Sequence, residues 1–242
     1  MWDIVKDKTF VDVGGLWHTV NEKVTEASLA GASEVTMIDS MKESSRWWDK
    51  FDERCKEKGV VCNNKISMDI NESSLLEQVG TFDVVHCAGV LYHCPNPIHT
   101  LNQLYSITND YLILGTTRIP SNLEDPRFPI DVPAGGILLS EVLTEKQKEI
   151  CVNFYDHPHS RVIFYDGRED DILQYGEKRN THTIPWWYFF TDEYVEYILK
   201  VCGFNILQKD YNYQKKNSQL NVYYVTEKIK TEMKQTIKHE FF

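Results

Sequence analysis

Thr9-Phe10-Val11-Asp12-Val13-Gly14-Gly15 is the stretch that decides how the rest of the chain is read. β-Branched and aromatic residues suit a strand, and this one runs straight into a glycine pair. A segment compatible with a helix follows within a few residues. Strand, tight glycine turn and helix form the first crossover of a doubly wound α/β sheet, where ligands bind beyond the carboxyl ends of the strands. Glycine suits the turn because it adopts positive φ and lets a ligand approach the backbone.

Outward from that turn, strand and helix patterns alternate. Val20 to Ala32 carries apolar residues at a helical period, with Gly31 near its end. Glu34 to Asp39 reads as a second strand ending in an acid, and Lys42 to Lys58 as a helix closed by Gly59. Val60 to Ser67 reads as a third strand, Ser73 to Val79 as a short helix and Phe82 to Cys87 as a fourth strand. Pro97 to Ile107 reads as a helix with proline at its permitted start, and Tyr111 to Thr117 as a fifth strand. Such alternation predicts a parallel sheet covered on both faces.

The rhythm breaks over residues 118–186, a stretch with a Gly135-Gly136 pair and the polar run Asp166-Gly167-Arg168-Glu169-Asp170-Asp171. It is too long for a plain connection and is expected to be an insertion with structure of its own. Thr191-Asp192-Glu193-Tyr194 then supplies an N-cap and first turn for a helix running to Cys202-Gly203. Phe204 to Tyr213 and Asn221 to Thr226 read as an antiparallel hairpin, and the tail from Glu227 as an amphipathic helix. The expected organisation is therefore 1–117 as the ligand-binding half, 118–186 as a lid or substrate element, and 187–242 completing the first domain.

Composition narrows the function classes. The 242 residues are 42% hydrophobic and 26% charged, with a formal charge of −10, so a basic face for nucleic acid is disfavoured. Six cysteines lie scattered without a C-x-x-C pair, as reduced cytoplasmic thiols do. No stretch approaches the roughly 18 to 20 apolar residues of a membrane span.

Asp12, Asp39 and Asp69 fall at the carboxyl ends of the first three strands, on one crevice. An acid ending the second strand of such a sheet is placed to accept both hydroxyls of a ribose. An acid followed by an apolar residue after the third can bond an exocyclic amine while its neighbour packs on a ring. Together these positions describe an adenosine site.

With Val11-Asp12-Val13-Gly14-Gly15, Met37-Ile38-Asp39, Met68-Asp69-Ile70 and Phe82-Asp83-Val84-Val85-His86-Cys87-Ala88-Gly89-Val90-Leu91-Tyr92-His93 in place, the chain resembles the class I S-adenosylmethionine-dependent methyltransferases. Within them it is similar to the branch of tRNA wobble-uridine carboxymethyltransferases and type 11 small-molecule enzymes. The likeness covers roughly Lys8 to Thr117 and Trp186 to Thr226. It implies a Rossmann-like seven-stranded sheet in the order 3-2-1-4-5-7-6, the last strand antiparallel, with S-adenosyl-L-methionine as cofactor. It further implies that Asp12, Gly14 and Gly15 border the methionine moiety, that Asp39 binds the ribose, and that Met41 packs on the adenine. Asp69 and Ile70 would read the adenine edge, and Cys87 and Ala88 would offer backbone groups to the methionine end. One departure stands out. The family loop reads D-x-G-x-G-x-G, whereas Leu16 and Trp17 here occupy its later part, where they could narrow or reroute it.

His93, just past the fourth strand, is the first candidate for a general base, since histidine titrates in the useful range; a loop-fixing role is the plainer alternative. His86 reads as a satisfied core residue. His157-Pro158-His159 is a poor metal signal without further ligands, and no metal is expected. Arg118, Arg127, Arg161 and Arg168 could hold an anionic group, and Trp186 to Phe190 could wall an acceptor or pack on the sheet. The leading expectation is a methyltransferase for a small-molecule acceptor, oxygen preferred and nitrogen or carbon open. A tRNA-modifying enzyme and a non-catalytic binding protein of the same fold are the alternatives. A nicotinamide-dependent dehydrogenase is disfavoured because G-x-G-x-x-G is absent.

Overall fold

The computed structural model describes residues 2–16, 22–155, 187–212 and 221–230. Strands run in chain order as β1 (Thr9–Val13), β2 (Glu34–Asp39), β3 (Asn64–Ser67), β4 (Phe82–Ala88), β5 (Thr108–Thr117), β6 (Ile137–Leu139), β7 (Tyr188–Phe190), β8 (Phe204–Asn212) and β9 (Asn221–Lys228). Seven of them form one sheet in the order β3-β2-β1-β4-β5-β9-β8, while β6 and β7 pair in a second, small sheet. β1 to β5 run parallel, and β9 is antiparallel to both its neighbours. With the small pair set aside, this is the 3-2-1-4-5-7-6 order that the sequence implies.

Alternation along the strands divides the core into two faces. Phe10, Val35, Met37, Val84 and Ile113 pack beneath α1 (Val24–Leu29) and α2 (Arg46–Lys58). Val11, Val13, Ile38, Val85 and Leu114 pack on the opposite face, against α3 (Leu75–Val79), α4 (Pro97–Ile107) and the helix Asp192–Val201. α2 forms because Trp47, Trp48, Phe51 and Cys55 repeat on one stripe. Ser45 caps it by accepting the Trp47 amide, and Gly59 ends it in the left-handed conformation at φ 66. Among the described residues no helix is long and apolar enough to cross a membrane.

Several boundaries differ from the sequence reading, each for a local reason. α1 begins at Val24 with Lys23 at its N-cap, and the buried Glu22 carboxylate just ahead of it accepts the Thr25 amide at 2.9 Å; Val20 lies outside the described residues. Arg54 of α2 holds that carboxylate at 2.6 Å. β3 begins at Asn64 rather than Val60: Asn63 meets Val35 through its own amide and its side-chain oxygen, both at 2.9 Å. β5 starts earlier than expected, at Thr108, which pairs with Phe82. The tail read as an amphipathic helix from Glu227 instead begins as strand, since β9 runs on to Lys228 to pair with Tyr111 and Phe204; the rest lies mostly outside the described residues.

The described part of the insertion holds β6, the helix α5 (Glu145–Tyr155) and a core of its own, with Ile119, Phe128, Val132 and Phe154 buried together. The late aromatic block is divided between this part and the main sheet. β7 pairs antiparallel with β6, Leu138 opposite Phe189 and Leu139 opposite Tyr188. Phe189 turns into the insertion core and Phe190 into the main one, so β7 staples the two. The final helix, α6 (Asp192–Val201), follows directly with Thr191 as its N-cap.

Candidate active site

Asp12, the penultimate residue of β1, is fully engaged. Parallel register places it opposite His86 of β4, and His86 Nδ1 lies 2.7 Å from Asp12 Oδ1 with both side chains buried. The other oxygen accepts the Lys23 amide at 2.7 Å. One carboxylate thus ties β1 to β4 and pulls the start of α1 back over the strand end. Reading His86 as a satisfied core residue captures its burial and misses its partner. The available signal is a polar residue inside an apolar strand at the register of a second polar residue.

The glycine pair serves this arrangement. Gly14 has φ +79, and a Cβ there would lie 2.3 Å from Val90 Cγ2. A Cβ on Gly15 would lie 2.2 Å from Asp12 Oδ2. The positive φ expected of the turn is found at Gly14, and in the fold the missing side chains also make room for Val90 and for the Asp12 carboxylate.

Asp39, the last residue of β2, is the acid that faces the turn. Its Oδ2 accepts the Leu16 amide at 3.1 Å and its Oδ1 the Met41 amide at 2.9 Å. Both crossover loops therefore orient one carboxylate. Leu16 does not obstruct it: the side chain is fully buried with Val24, Met37 and Trp48 beneath the loop. Trp17 lies outside the described residues. Met41 is half-buried on the same cluster, and its carbonyl accepts from Trp48 Nε1 at 3.2 Å and Ser67 Oγ at 2.7 Å.

Asp69 follows β3 at the same end of the sheet, half-buried. Its Oδ1 accepts the Asn71 amide at 2.9 Å and the Asn71 side chain at 3.1 Å. Among the described residues its Oδ2 has no donor. Ile70 turns its side chain into the main core beside Leu75, so a contact from it to a ring would be at the edge of that core.

Cys87 and Ala88 end β4. The Cys87 thiol is buried in the core, and burial pushes its pKa well above the usual thiol value, with Cys94 and Asp12 adding to the shift. It stays protonated and is no nucleophile. Ala88 lies against Gly115, where a Cβ would come within 2.7 Å of the Ala88 methyl. His93 closes the 3₁₀ turn Leu91–His93, half-buried, its ring 4.4 Å from that of Tyr92. The Tyr92 carbonyl accepts the Trp187 amide at 2.8 Å, which anchors β7 over the β4 loop.

Two arginines proposed for an anion are committed elsewhere. Arg118 Nε bonds the buried Asp192 at 2.8 Å, and Arg127 pairs with Asp125. Arg161, Arg168, His157 and His159 lie outside the described residues.

No family model matches the chain, and no curated protein matches it in sequence. Solved structures match it along most of its length. The 1,6-didemethyltoxoflavin-N1-methyltransferase of Burkholderia thailandensis, with its substrate and S-adenosylhomocysteine bound, aligns at a TM-score of 0.53 and 11% identity. That alignment covers 93% of this chain and 72% of the other. The chain has the class I methyltransferase fold. The magnesium protoporphyrin IX methyltransferase of Synechocystis PCC 6803 with bound S-adenosylhomocysteine aligns at 0.53 and 14% identity, over 93% and 75% of the two chains. The N-methyltransferase NodS of Bradyrhizobium japonicum WM9 gives 0.50 and 12%, over 93% and 88%. At such identities the likeness to these methyltransferases is one of fold, and the chemistry is argued from the side chains.

Proposed function

We propose that the chain is a cytoplasmic S-adenosylmethionine-dependent methyltransferase acting on a small molecule. The observation that carries this reading is the Asp39 carboxylate at the tip of β2, oriented by the Leu16 and Met41 amides beside the glycine turn. A carboxylate so placed is suited to the two hydroxyls of a ribose. Asp69 Oδ2, without a donor among the described residues, suits the exocyclic amine of an adenine on the same edge. Solved proteins of this fold with S-adenosylhomocysteine bound support the assignment, and the free state of all six cysteines is in keeping with a reducing compartment.

When bound, the cofactor supplies an electrophilic methyl group on a sulfonium. The chain's part is to hold the ribose on Asp39, the base on Asp69 with Met41 nearby, and the methionine end on the backbone of Gly14, Gly15, Cys87 and Ala88. Asp12 acts from behind, fixing the glycine turn. His93 stands after β4 as the base for a hydroxyl acceptor, which makes oxygen the preferred atom, with nitrogen and carbon next. The described part of the insertion, 118–155, is assigned the role of substrate element.

Titration calorimetry with S-adenosylmethionine and S-adenosylhomocysteine tests the reading. Both bind the wild type, and Asp39→Asn, which keeps shape but removes charge, weakens each by at least about tenfold, the scale of one charge-assisted hydrogen bond. Absence of binding by either compound refutes it. Unchanged affinity in Asp39→Asn moves the ribose elsewhere, and a tight, salt-sensitive complex with tRNA would replace the small-molecule acceptor.

A further inference from the structure

Two buried polar groups at the end of the small sheet have no hydrogen-bond partner among the described residues: Ser140 Oγ and Trp187 Nε1. They are brought together just past the end of the β6–β7 ladder, which pairs Leu138 with Phe189 and Leu139 with Tyr188; Ser140 opens a 3₁₀ turn, Ser140–Val142, and Trp187 directly precedes β7. The Ser140 amide donates to the Trp187 carbonyl at 3.0 Å. Leu138 and Phe189, just inside the ladder, pack into the insertion core. The Trp187 amide is meanwhile held on the Tyr92 carbonyl at 2.8 Å. The pair therefore hangs directly over the turn that carries Tyr92 and His93, at the mouth of β4.

Leaving a buried donor unmade costs folding free energy, and such groups in a native fold call for a partner. From the methyltransferase reading, on which this inference rests, we propose that Ser140 and Trp187 are the specificity contacts of the acceptor subsite, taking a neutral, flat molecule through a carbonyl oxygen. The indole N–H can only donate and the serine hydroxyl can donate, so their shared complement is an acceptor atom with two lone pairs. Flatness follows from the half-buried rings of Trp187, Tyr92 and His93, which offer faces for stacking. Neutrality follows from the charges nearby. Arg118, at the end of β5, is bound to Asp192, and burial holds the Tyr92 and Tyr155 hydroxyls in their protonated form.

The full chain saturated with S-adenosylhomocysteine tests this at pH 6.5 with three probes: 7-hydroxycoumarin, which is neutral and carries a carbonyl; indole, neutral without one; and benzoate, an anion. 7-Hydroxycoumarin is expected to bind, and Ser140→Ala and Trp187→Phe each to weaken it about tenfold while indole binding moves less than twofold. S-adenosylhomocysteine affinity stays unchanged in both variants, and Ser140→Ala melts no lower than wild type. Absence of coumarin binding to the loaded chain, a preference for benzoate, or variants within twofold of wild type would overturn the proposal. So would a fall in the melting temperature of Ser140→Ala, which marks the hydroxyl as structural. Loss of S-adenosylhomocysteine binding by the wild type itself would instead bring down the methyltransferase reading.

Discussion

Gly15→Ala puts the organisation of the cofactor turn to a quantitative test. The added methyl would lie 2.2 Å from Asp12 Oδ2 and 2.9 Å from its Cγ, with Met37 Cε at 3.0 Å. The methionine end can yield, but the carboxylate is pinned by the Lys23 amide and His86, both at 2.7 Å. Restoring an ordinary contact moves the carboxylate by about 1 Å, enough to break one of those charge-assisted bonds and stretch the other, at about 1.5–3 kcal/mol apiece. The backbone at Gly15 is not in the left-handed region, so alanine otherwise gains about 0.4–1 kcal/mol through the unfolded chain. A net loss of about 3 kcal/mol is expected. In an Asp12→Ala background the obstacle is gone and the same substitution falls to about zero, a coupling of about 3 kcal/mol. Urea unfolding of wild type, both single variants and the double variant measures this directly, provided the denaturant slopes agree. Costs that add to within about 0.5 kcal/mol would show that Gly15 and Asp12 do not share this space.

Two further outcomes concern stability. Burial of Asp83 opposes its charge, but the amide and hydroxyl of Thr9, both at 3.0 Å, the Asn109 amide and the charge of Lys8 outweigh it, and its pKa is lowered. A carboxyl depressed on folding stabilises fully above its unfolded pKa of about 3.9 and loses that contribution as pH falls through the lower folded value. Asp83→Asn should therefore unfold with a shallower loss of stability below about pH 4 than wild type; equal slopes from pH 5 to 2.5 contradict the assignment. Asp192 accepts from Arg118, Lys209 and Tyr211 at 2.8, 2.8 and 2.7 Å while nearly buried. Asp192→Ala strands Arg118, while Lys209 keeps Glu196 at 2.8 Å, and should cost about 3 kcal/mol in urea unfolding; a cost under about 1 kcal/mol would show that water already screens the cluster.

The strands and helices were legible because they follow from local chemistry, whereas the order of the sheet came from the family resemblance. β-Branched runs at β1, β2, β4 and β5, the Gly59 stop and the Pro97 start each act within a few residues. The strand-end positions of Asp12, Asp39 and Asp69 follow from those runs. What no local pattern carries is the partner of each group. Asp12 meets His86 across 74 positions of chain, because parallel register, not proximity, sets the pair. Leu16 stands where the family pattern has a glycine, yet its side chain sinks into the core while its amide serves Asp39. The same holds for β7, whose backbone pairs with β6 of the insertion while Phe190 packs into the main core. Sequence alone determined which segments bury and what shape they take, since apolar periodicity and turn chemistry are properties of neighbours. Tertiary structure decided which polar groups face each other, because a buried carboxylate must find donors wherever the packed strands bring them.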